Sequence, residues 1–227
     1  MLQVLQFSGG LDSLACLHVL RDASDMVVLT ASTDGEYPQR AAYLAQVAAA
    51  YPRLEFHHVK TDRELDRYGR PVDVVPLRYT AMGMLAAGQT GARYQDAFSC
   101  CNRALWAPLD REARRLGAEV IIRGQRDSDS YRAPVRDGEK LAHLTYRFPL
   151  HDWTRDEVLK YVEANVPELV PESYRVGERT SRDCWDCTAY LRDNRTRISN
   201  LPMPKWQCVN DVLVQWREDV NSEMEAL

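Results

Sequence analysis

The chain has 227 residues, with 29 Lys and Arg against 33 Asp and Glu and a formal net charge of −4. That length can bury one sizeable core with a small appendage, and the charge excludes a global basic field announcing a nucleic-acid partner. No apolar stretch approaches the ~20 residues that span a bilayer, and the first residues read as a strand and not a leader. A cytoplasmic location is therefore expected, with the six cysteines kept reduced.

Leu2–Phe7 reads as a buried strand, and the spacing of Leu14, Ala15, Leu17, Val19 and Leu20 predicts a helix over 11–22. Met26–Ala31 is a second strand, Gln39–Ala50 an alanine-rich helix and Leu54–Val59 a third strand. Residues 62–75 are mixed and polar and read as a loop, followed by a helix over 75–88. A helix over 102–116 ends at Gly117, and Glu119–Arg123 is a further buried strand. Leu141–Phe148 alternates as a strand does. Thr154 with Glu157 forms a capping box for a helix running to about Asn165. Strands alternating with helices predict an α/β fold, a mostly parallel twisted sheet with helices on both faces.

Between the first strand and the first helix stands Ser8-Gly9-Gly10-Leu11-Asp12-Ser13. Two glycines let the backbone turn sharply and approach an anion without a Cβ in the way. The first N–H groups of the helix, with the positive end of its dipole, then face the bound oxygens. Ser8 and Ser13 add hydroxyl donors. No Gly-Lys-Ser/Thr follows, so the loop is not of the Walker type. In such a fold ligands bind beyond the carboxyl ends of the strands, where strand order reverses. Two loops meet that condition: Ser32–Pro38, with Asp34, and Gly124–Arg132, with Arg126, Ser130 and Arg132. Arginines among serines and aspartates after a buried strand suit an anionic ligand. The arginines at 111–115 read instead as a solvated helix face.

Cys100-Cys101 and Cys184-Trp185-Asp186-Cys187 supply four thiols from two distant clusters, the composition of a Cys₄ metal centre. Adjacent cysteines strain a single tetrahedral zinc, whereas a [4Fe–4S] cubane offers each sulfur its own iron. Zinc, or unrelated thiols beside a redox C-x-x-C, are the alternatives. Cys16 falls on the apolar side of the first helix and reads as core.

SGGLDS resembles the PP-loop of the ATP pyrophosphatases, which split ATP to AMP and pyrophosphate while adenylating an acceptor. Ser32–Pro38 is similar to the D-T-G-x-x-F-P segment of their phosphoadenosine phosphosulfate (PAPS) reductase branch, in altered form. Gly124-x-Arg126-x-x-x-Ser130 is similar to that branch's G-x-R-x-x-x-S motif, and Pro149-Leu150-x-x-Trp153 to its P-L-x-x-W segment. The C-C…C-x-x-C pattern resembles that of the iron–sulfur adenylylsulfate (APS) reductases. The resemblance implies an adenine nucleotide alpha hydrolase-like, Rossmann-like domain over 1–170 and a cysteine-bearing extension over 171–227 packed on it. It further implies nucleotide contacts from Ser8, Gly9, Gly10, Asp12, Ser13, Asp34, Gly124, Arg126 and Ser130. Asp12, Arg126 and Arg132 would serve catalysis, with Mg²⁺ accompanying ATP and Asp12 its ligand through water. A [4Fe–4S] cluster on Cys100, Cys101, Cys184 and Cys187 would serve sulfur transfer.

Two departures bear on function. The E-C-G-L-H tail with which the reductases attack sulfur is missing; Cys208 is the sole cysteine near the C-terminus. The loop, degenerate in those reductases, is intact here. The expected function is therefore an adenylating ATP pyrophosphatase acting on a small molecule or nucleic acid with a sulfur donor. The alternatives are an APS/PAPS reductase using Cys208 or an external, thioredoxin-like thiol, and a catalytically silent nucleotide-binding subunit.

Overall fold

The apolar runs of the sequence become the centre of a six-stranded sheet, ordered β3-β2-β1-β6-β8-β7. A computed structural model describes residues 1–129, 135–178 and 183–226. Its elements begin β1 (Gln3–Gln6), α1 (Leu11–Val19), β2 (Met26–Ser32), α2 (Pro38–Ala50) and β3 (Glu55–Lys60). They continue α3 (Leu65–Tyr68), β4 (Arg70–Val72), α4 (Ala81–Ala86), β5 (Tyr94–Asp96), α5 (Ala97–Cys101), α6 (Ala107–Arg115) and β6 (Val120–Ile122). The remainder are β7 (Lys140–Leu141), β8 (Leu144–Arg147), α7 (Arg155–Asn165), α8 (Glu172–Arg175), α9 (Leu191–Ser199) and α10 (Met203–Glu225). All pairings in the large sheet are parallel except β7 with β8. As expected, the fold is a mostly parallel sheet covered on both faces.

Alternation along the central strands divides the core. Leu5 and Val28 point to the face covered by Leu14, Leu17, Val158 and Val162 of α1 and α7. Val4, Val27, Leu29 and Ile121 point to the face covered by Leu109 and Ala113 of α6. β2 is buried along its whole length, as a central strand between two helical layers must be. The chain runs outward from β1 through β2 to β3, then returns to place β6 on the other side of β1. This reversal makes the β1/β6 boundary the switch point, with the loops after β1, β2 and β6 around it.

Several elements differ from the sequence reading. The stretch 62–75 holds α3 and β4, and β4 pairs in parallel with β5 as a separate two-stranded sheet. The helix expected over 75–88 is a 3₁₀ turn at Leu77–Tyr79 followed by α4, which the Thr80 side chain caps. The helix expected from Asn102 starts earlier, at Ala97, capped by Asp96. It widens to a π turn over Asn102–Trp106 before α6. Pro108 accounts for the widening: it has no N–H for the carbonyl four residues back, and its ring crowds that turn. The strand expected over 141–148 is a short hairpin that reverses near Ala142, whose φ is 56°. The extension after residue 170 holds the short α8, then α9 and the 23-residue α10. Ile198, Leu201 and Val209 of this extension bury Tyr37, from the loop after β2. No described helix is long and apolar enough to cross a membrane.

The capping box is present at α7: Thr154 Oγ1 accepts from Glu157 N–H at 3.2 Å, and Glu157 accepts from Thr154 N–H at 2.7 Å. Thr154→Ala is expected to cost about 1 kcal/mol and to lower Tm by roughly 2–4 °C, with nucleotide affinity unchanged. Thermal unfolding beside a binding titration checks both.

Candidate functional site at the switch point

The Ser8–Ser13 loop joins β1 to α1 as a phosphate-holding turn requires. Gly9 has a φ of +82°, in the left-handed region that favours glycine. Gly10 is the N-cap of α1 and offers no side chain to the first helical N–H groups, which leaves them available to an anion. The Ser13 hydroxyl donates to the Gly10 carbonyl at 2.9 Å, and Ser8 Oγ lies 3.3 Å from Ser13 Oγ. Gly124, just after β6, packs against this turn. A Cβ there would stand 2.6 Å from the Asp12 carbonyl carbon and 2.8 Å from Ser13 N, so the close approach of the two loops needs glycine.

Asp12 and Arg126 meet across that contact. Arg126 Nε lies 2.8 Å from Asp12 Oδ1, yet neither atom completes a hydrogen bond with any described residue. The other arm of Arg126 is engaged by Asp129, whose Oδ1 is 2.5 Å from Nη2. Burial pushes the Asp12 carboxyl up to about 6, against the opposing pull of Arg126. Ser130 and Arg132 lie outside the described residues, as do Arg179 and Arg182. Arg111, Arg114 and Arg115 are exposed on α6, as a solvated face would be.

Asp34 stands in the loop after β2, where its carboxylate is held by Arg63. The Arg63 Nε donates to Oδ1 at 2.9 Å and Nη2 to Oδ2 at 2.9 Å, and the pairing keeps Asp34 below the usual carboxylate range despite burial. The buried Arg63 reaches onward to Asp186, between the two cysteines of the C-x-x-C, with Nη1 at 2.5 Å from Oδ1. Arg70 adds a third bond at 2.6 Å. Trp185 N–H donates to the Gly35 carbonyl at 2.9 Å, and Thr33 Oγ1 lies 3.3 Å from Cys184 Sγ. The loop after β2 is thereby fastened to the cysteine turn.

Cys100 and Cys101 lie at the end of α5, facing that turn. Cys101 Sγ is 3.6 Å from the Tyr190 hydroxyl, and Cys187 Sγ lies 3.8 Å from the Ala189 carbonyl. Burial pushes the Cys100 thiol up to about 11, Cys184 to about 12, Cys101 well above its ordinary value and Cys187 upward. The thiols add to this in one another: Cys187 raises Cys100, Cys101 and Cys184. The four are thus neighbours, yet among the described residues no group of three or more Cys, His, Asp or Glu side chains closes on a point that could hold a metal ion. Single-ion zinc geometry is not formed. By chemistry alone, four thiols are a donor set that zinc or an iron–sulfur cluster can use.

Arg197 bears on that fit. It is only 2% exposed, and its guanidinium donates to the carbonyls of Trp185 at 2.5 Å and Cys187 at 2.6 Å, with Cys184 O at 3.4 Å. Its other described partners, Asn194 Oδ1 and the Tyr37 hydroxyl, are also uncharged. A buried cation without a carboxylate is costly, and an anionic group on the thiols in front of it would offset that cost. Arg197, Arg63 and Arg40 carry the site's architecture, and the sequence reading gave none of them a role. Arg40 had one signal: it is the sole charge in an otherwise uncharged helix. Cys16 is fully buried, as expected of core, while Cys208 is exposed on α10, away from the four thiols' contacts.

Asp12 gives a pH signature. Its folded pKa of about 6 lies above the ordinary 3.8, so between those values the native state binds more protons than the unfolded one. This group's effect makes stability fall as pH rises from about 4 to about 6 and then level off. A third of the side chain still reaches solvent, which softens the size but not the sign. Asp12→Asn should raise Tm relative to the wild type more at pH 7 than at pH 4; equal differences at both would refute the assignment.

Among curated proteins, none matches the chain. Among solved structures, an NMN synthetase from Francisella tularensis aligns with a TM-score of 0.53 at 12% identity, covering 96% of this chain and 85% of that one. The phosphoadenylyl-sulfate (PAPS) reductase from Candida auris, in a phosphate complex, aligns with a TM-score of 0.50 at 19% identity, covering 80% of each chain. At these identities the likeness is one of fold. The sequence pattern of the phosphoadenosine phosphosulfate reductase domain spans residues 3–188, and with that span the chain belongs to the phosphoadenosine phosphosulfate reductase domain family.

Proposed function

We propose that this chain is an adenine-nucleotide enzyme that splits ATP to AMP and pyrophosphate while adenylating an acceptor, with a [4Fe–4S] cluster beside the site for sulfur transfer. The observation that carries the reading is the Asp12–Arg126 pair at the start of α1, two buried atoms 2.8 Å apart and short of hydrogen-bond partners. It belongs to an intact Ser-Gly-Gly-x-Asp-Ser loop that opens α1 with no side-chain cap at Gly10. The family and both structural neighbours are enzymes by name.

In this reading the N–H groups of Gly9 to Ser13 hold the β,γ-pyrophosphate, and Ser8 and Ser13 adjust their hydroxyls to it. Asp12 would serve the accompanying Mg²⁺, which when bound would favour the carboxylate form against the burial that raises its pKa. An acceptor oxygen attacks the α-phosphorus, the α–β bridging bond breaks and pyrophosphate leaves with that electron pair. Arg126, freed from strict pairing with Asp12, faces the charge that develops on the phosphates. Arg132 is assigned the same task, and Ser130, Asp34 and Gly124 complete the nucleotide contacts. Cys100, Cys101, Cys184 and Cys187 would hold the cluster, which when bound supplies sulfur or electron chemistry next to the adenylated acceptor. Residues 1–170 form the nucleotide-binding unit and 171–227 the extension that brings the second cysteine pair.

The family description favours one alternative, a sulfonucleotide reductase that uses Cys208 or an external thiol. Product analysis separates the two: AMP and pyrophosphate from ATP support adenylation, whereas thioredoxin-dependent sulfite from APS or PAPS replaces it. Turnover of neither would leave a nucleotide-binding subunit. Gly9→Val should weaken ATP binding at least tenfold, about 1.4 kcal/mol, because a β-branched residue resists a positive φ and fills the approach path. Unchanged affinity in Gly9→Val and Asp12→Ala, measured by calorimetry, would sink the loop assignment.

Anaerobically purified protein should be brown, absorb near ~400 nm and carry iron at cubane stoichiometry. Loss of any of the four thiols should remove the colour, while Cys16→Ala should keep it. A colourless protein with one zinc would retain a Cys₄ site and overturn the cluster.

A further inference from the structure

The loop after β1 and the cysteine turn are joined through one buried side chain. Arg40 lies in the first turn of α2, and its guanidinium is directed back over the carboxyl end of β2. Nη1 donates to the Ala31 carbonyl at 2.7 Å and to Glu36 Oε1 at 2.5 Å. Nη2 donates to the Ser8 carbonyl at 3.2 Å and approaches Thr30 Oγ1 at 3.4 Å. The same Nη2 lies 3.5 Å from Oδ1 of Asp183, the residue before Cys184.

The contact with Ser8 has a stereochemical consequence. The Ser8 carbonyl and the Gly9 N–H belong to one planar trans peptide, since no cis bond occurs among the described residues, and in a trans peptide the two point in opposite directions. A guanidinium that fixes the Ser8 carbonyl on one side therefore fixes the Gly9 N–H on the other. The peptide plane at the first turn of the phosphate loop is set by Arg40. A flexible ammonium in its place would satisfy one or two of these acceptors, but not the planar fork of Ala31, Glu36 and Ser8 together with Asp183.

We propose that Arg40 is a positioning residue that couples occupancy of the phosphate loop to the geometry of the Cys184 turn. This rests on reading Ser8–Ser13 as the phosphate site of a nucleotide. An anion on the Gly9 N–H holds the peptide plane, which holds the Ser8 carbonyl against Arg40, which holds Asp183 and the turn it begins. Thr33 Oγ1 against Cys184 Sγ, and Trp185 N–H on the Gly35 carbonyl, complete the second half of the link. Coupling of this kind is reciprocal: whatever pyrophosphate does to Cys184, modification of Cys184 does to pyrophosphate affinity.

The test uses the full chain freed of iron by anaerobic chelation, so that the Cys184 thiol is free, with inorganic pyrophosphate and ATP as probes. Iodoacetamide labelling of Cys184, followed by mass spectrometry, is timed with and without saturating pyrophosphate, and binding is measured by calorimetry. Pyrophosphate should slow labelling of Cys184 by at least about fivefold and leave the exposed Cys208 unchanged. Arg40→Lys and Arg40→Gln should lose at least about fivefold in pyrophosphate affinity and abolish the ligand dependence of Cys184 labelling. A purely structural role would speed labelling equally with and without ligand. Should the Arg40 variants fail to fold, Thr33→Val, which removes the hydroxyl that lies against Cys184 and accepts from the Gly35 N–H and leaves Arg40 in place, should keep pyrophosphate affinity and lose most of the protection. Wild-type protein that binds neither probe would overturn the nucleotide reading and the coupling together. Binding with identical labelling rates would overturn the coupling and leave the nucleotide reading standing, and full protection in Arg40→Lys would remove Arg40 from it.

Discussion

The carboxylate of Asp186 is the constraint on which the site depends. It sits between two cysteines, 7% exposed, and accepts from Arg63 and Arg70. Arg63 in turn holds Asp34, so two guanidinium ions and two carboxylates form a near-neutral cluster in which Arg63 and Asp186 are buried and Asp34 and Arg70 reach solvent. Its members come from the loop after β2, the segment before β4, β4 itself and the cysteine turn. Removing Arg63 or Asp186 leaves the other as an uncompensated buried charge, a cost of about 3–5 kcal/mol, whereas solvent screens the loss of Asp34 or Arg70. The C-terminal segment is therefore fastened to the sheet by one buried ion pair, with the apolar contact of Tyr37 beside it. Asp34 matters through this cluster, whatever else it touches.

Arg197 acts on the same turn with the opposite balance. Its described acceptors are carbonyls, a side-chain amide and a phenol, so its charge is solvated but not cancelled. A positive field is left behind Cys184 and Cys187, in a region where low polarity strengthens it. The free thiols are nevertheless held protonated by burial. The two tendencies oppose each other until something binds the sulfurs in their anionic form.

Much of the fold and the phosphate loop was legible because each signal was local. Leu2–Phe7, the Gly9-Gly10 turn and the spacing of Leu14 and Leu17 lie within twenty residues of one another, and the parallel order follows from alternation. Gly124 was legible as a turn residue, whereas its reason, the backbone of Asp12 and Ser13, needs β6 set beside β1. The small β4/β5 sheet was not legible: Arg70-Pro71-Val72 and Tyr94-Gln95-Asp96 are too short to show a period, and a proline argues against a strand. Arg40, Arg63 and Arg197 appeared as charges, since sequence shows neither burial nor partner. α10 was missed although Trp206, Val209, Leu213 and Trp216 recur at helical spacing, because the prolines and arginines before it drew the whole segment into an irregular reading; of its residues only Val209 and Asp219 are fully buried. The four cysteines were legible as a group through their types, but their mutual approach depends on contacts more than a hundred residues apart.

The two-stranded β4/β5 sheet has a consequence for the order in which the molecule is assembled. Asp96 ends β5 and caps α5, which delivers Cys100 and Cys101. On the partner strand, Arg70 binds Asp186 and the Pro71 carbonyl accepts from Thr188, while Asp73, just beyond it, accepts from the Tyr190 and Leu191 N–H groups. Both halves of the cysteine centre thus hang from one three-residue ladder, whose close approach at Gly69 is possible without a Cβ. The first half is complete once residue 101 has left the ribosome, but the second reaches back across 117 positions to Pro71. Contacts of that separation close late, after the parallel sheet they rest on. During synthesis Cys100 and Cys101 emerge long before Cys184 and Cys187, so the two cysteine pairs come together only after most of the chain is made.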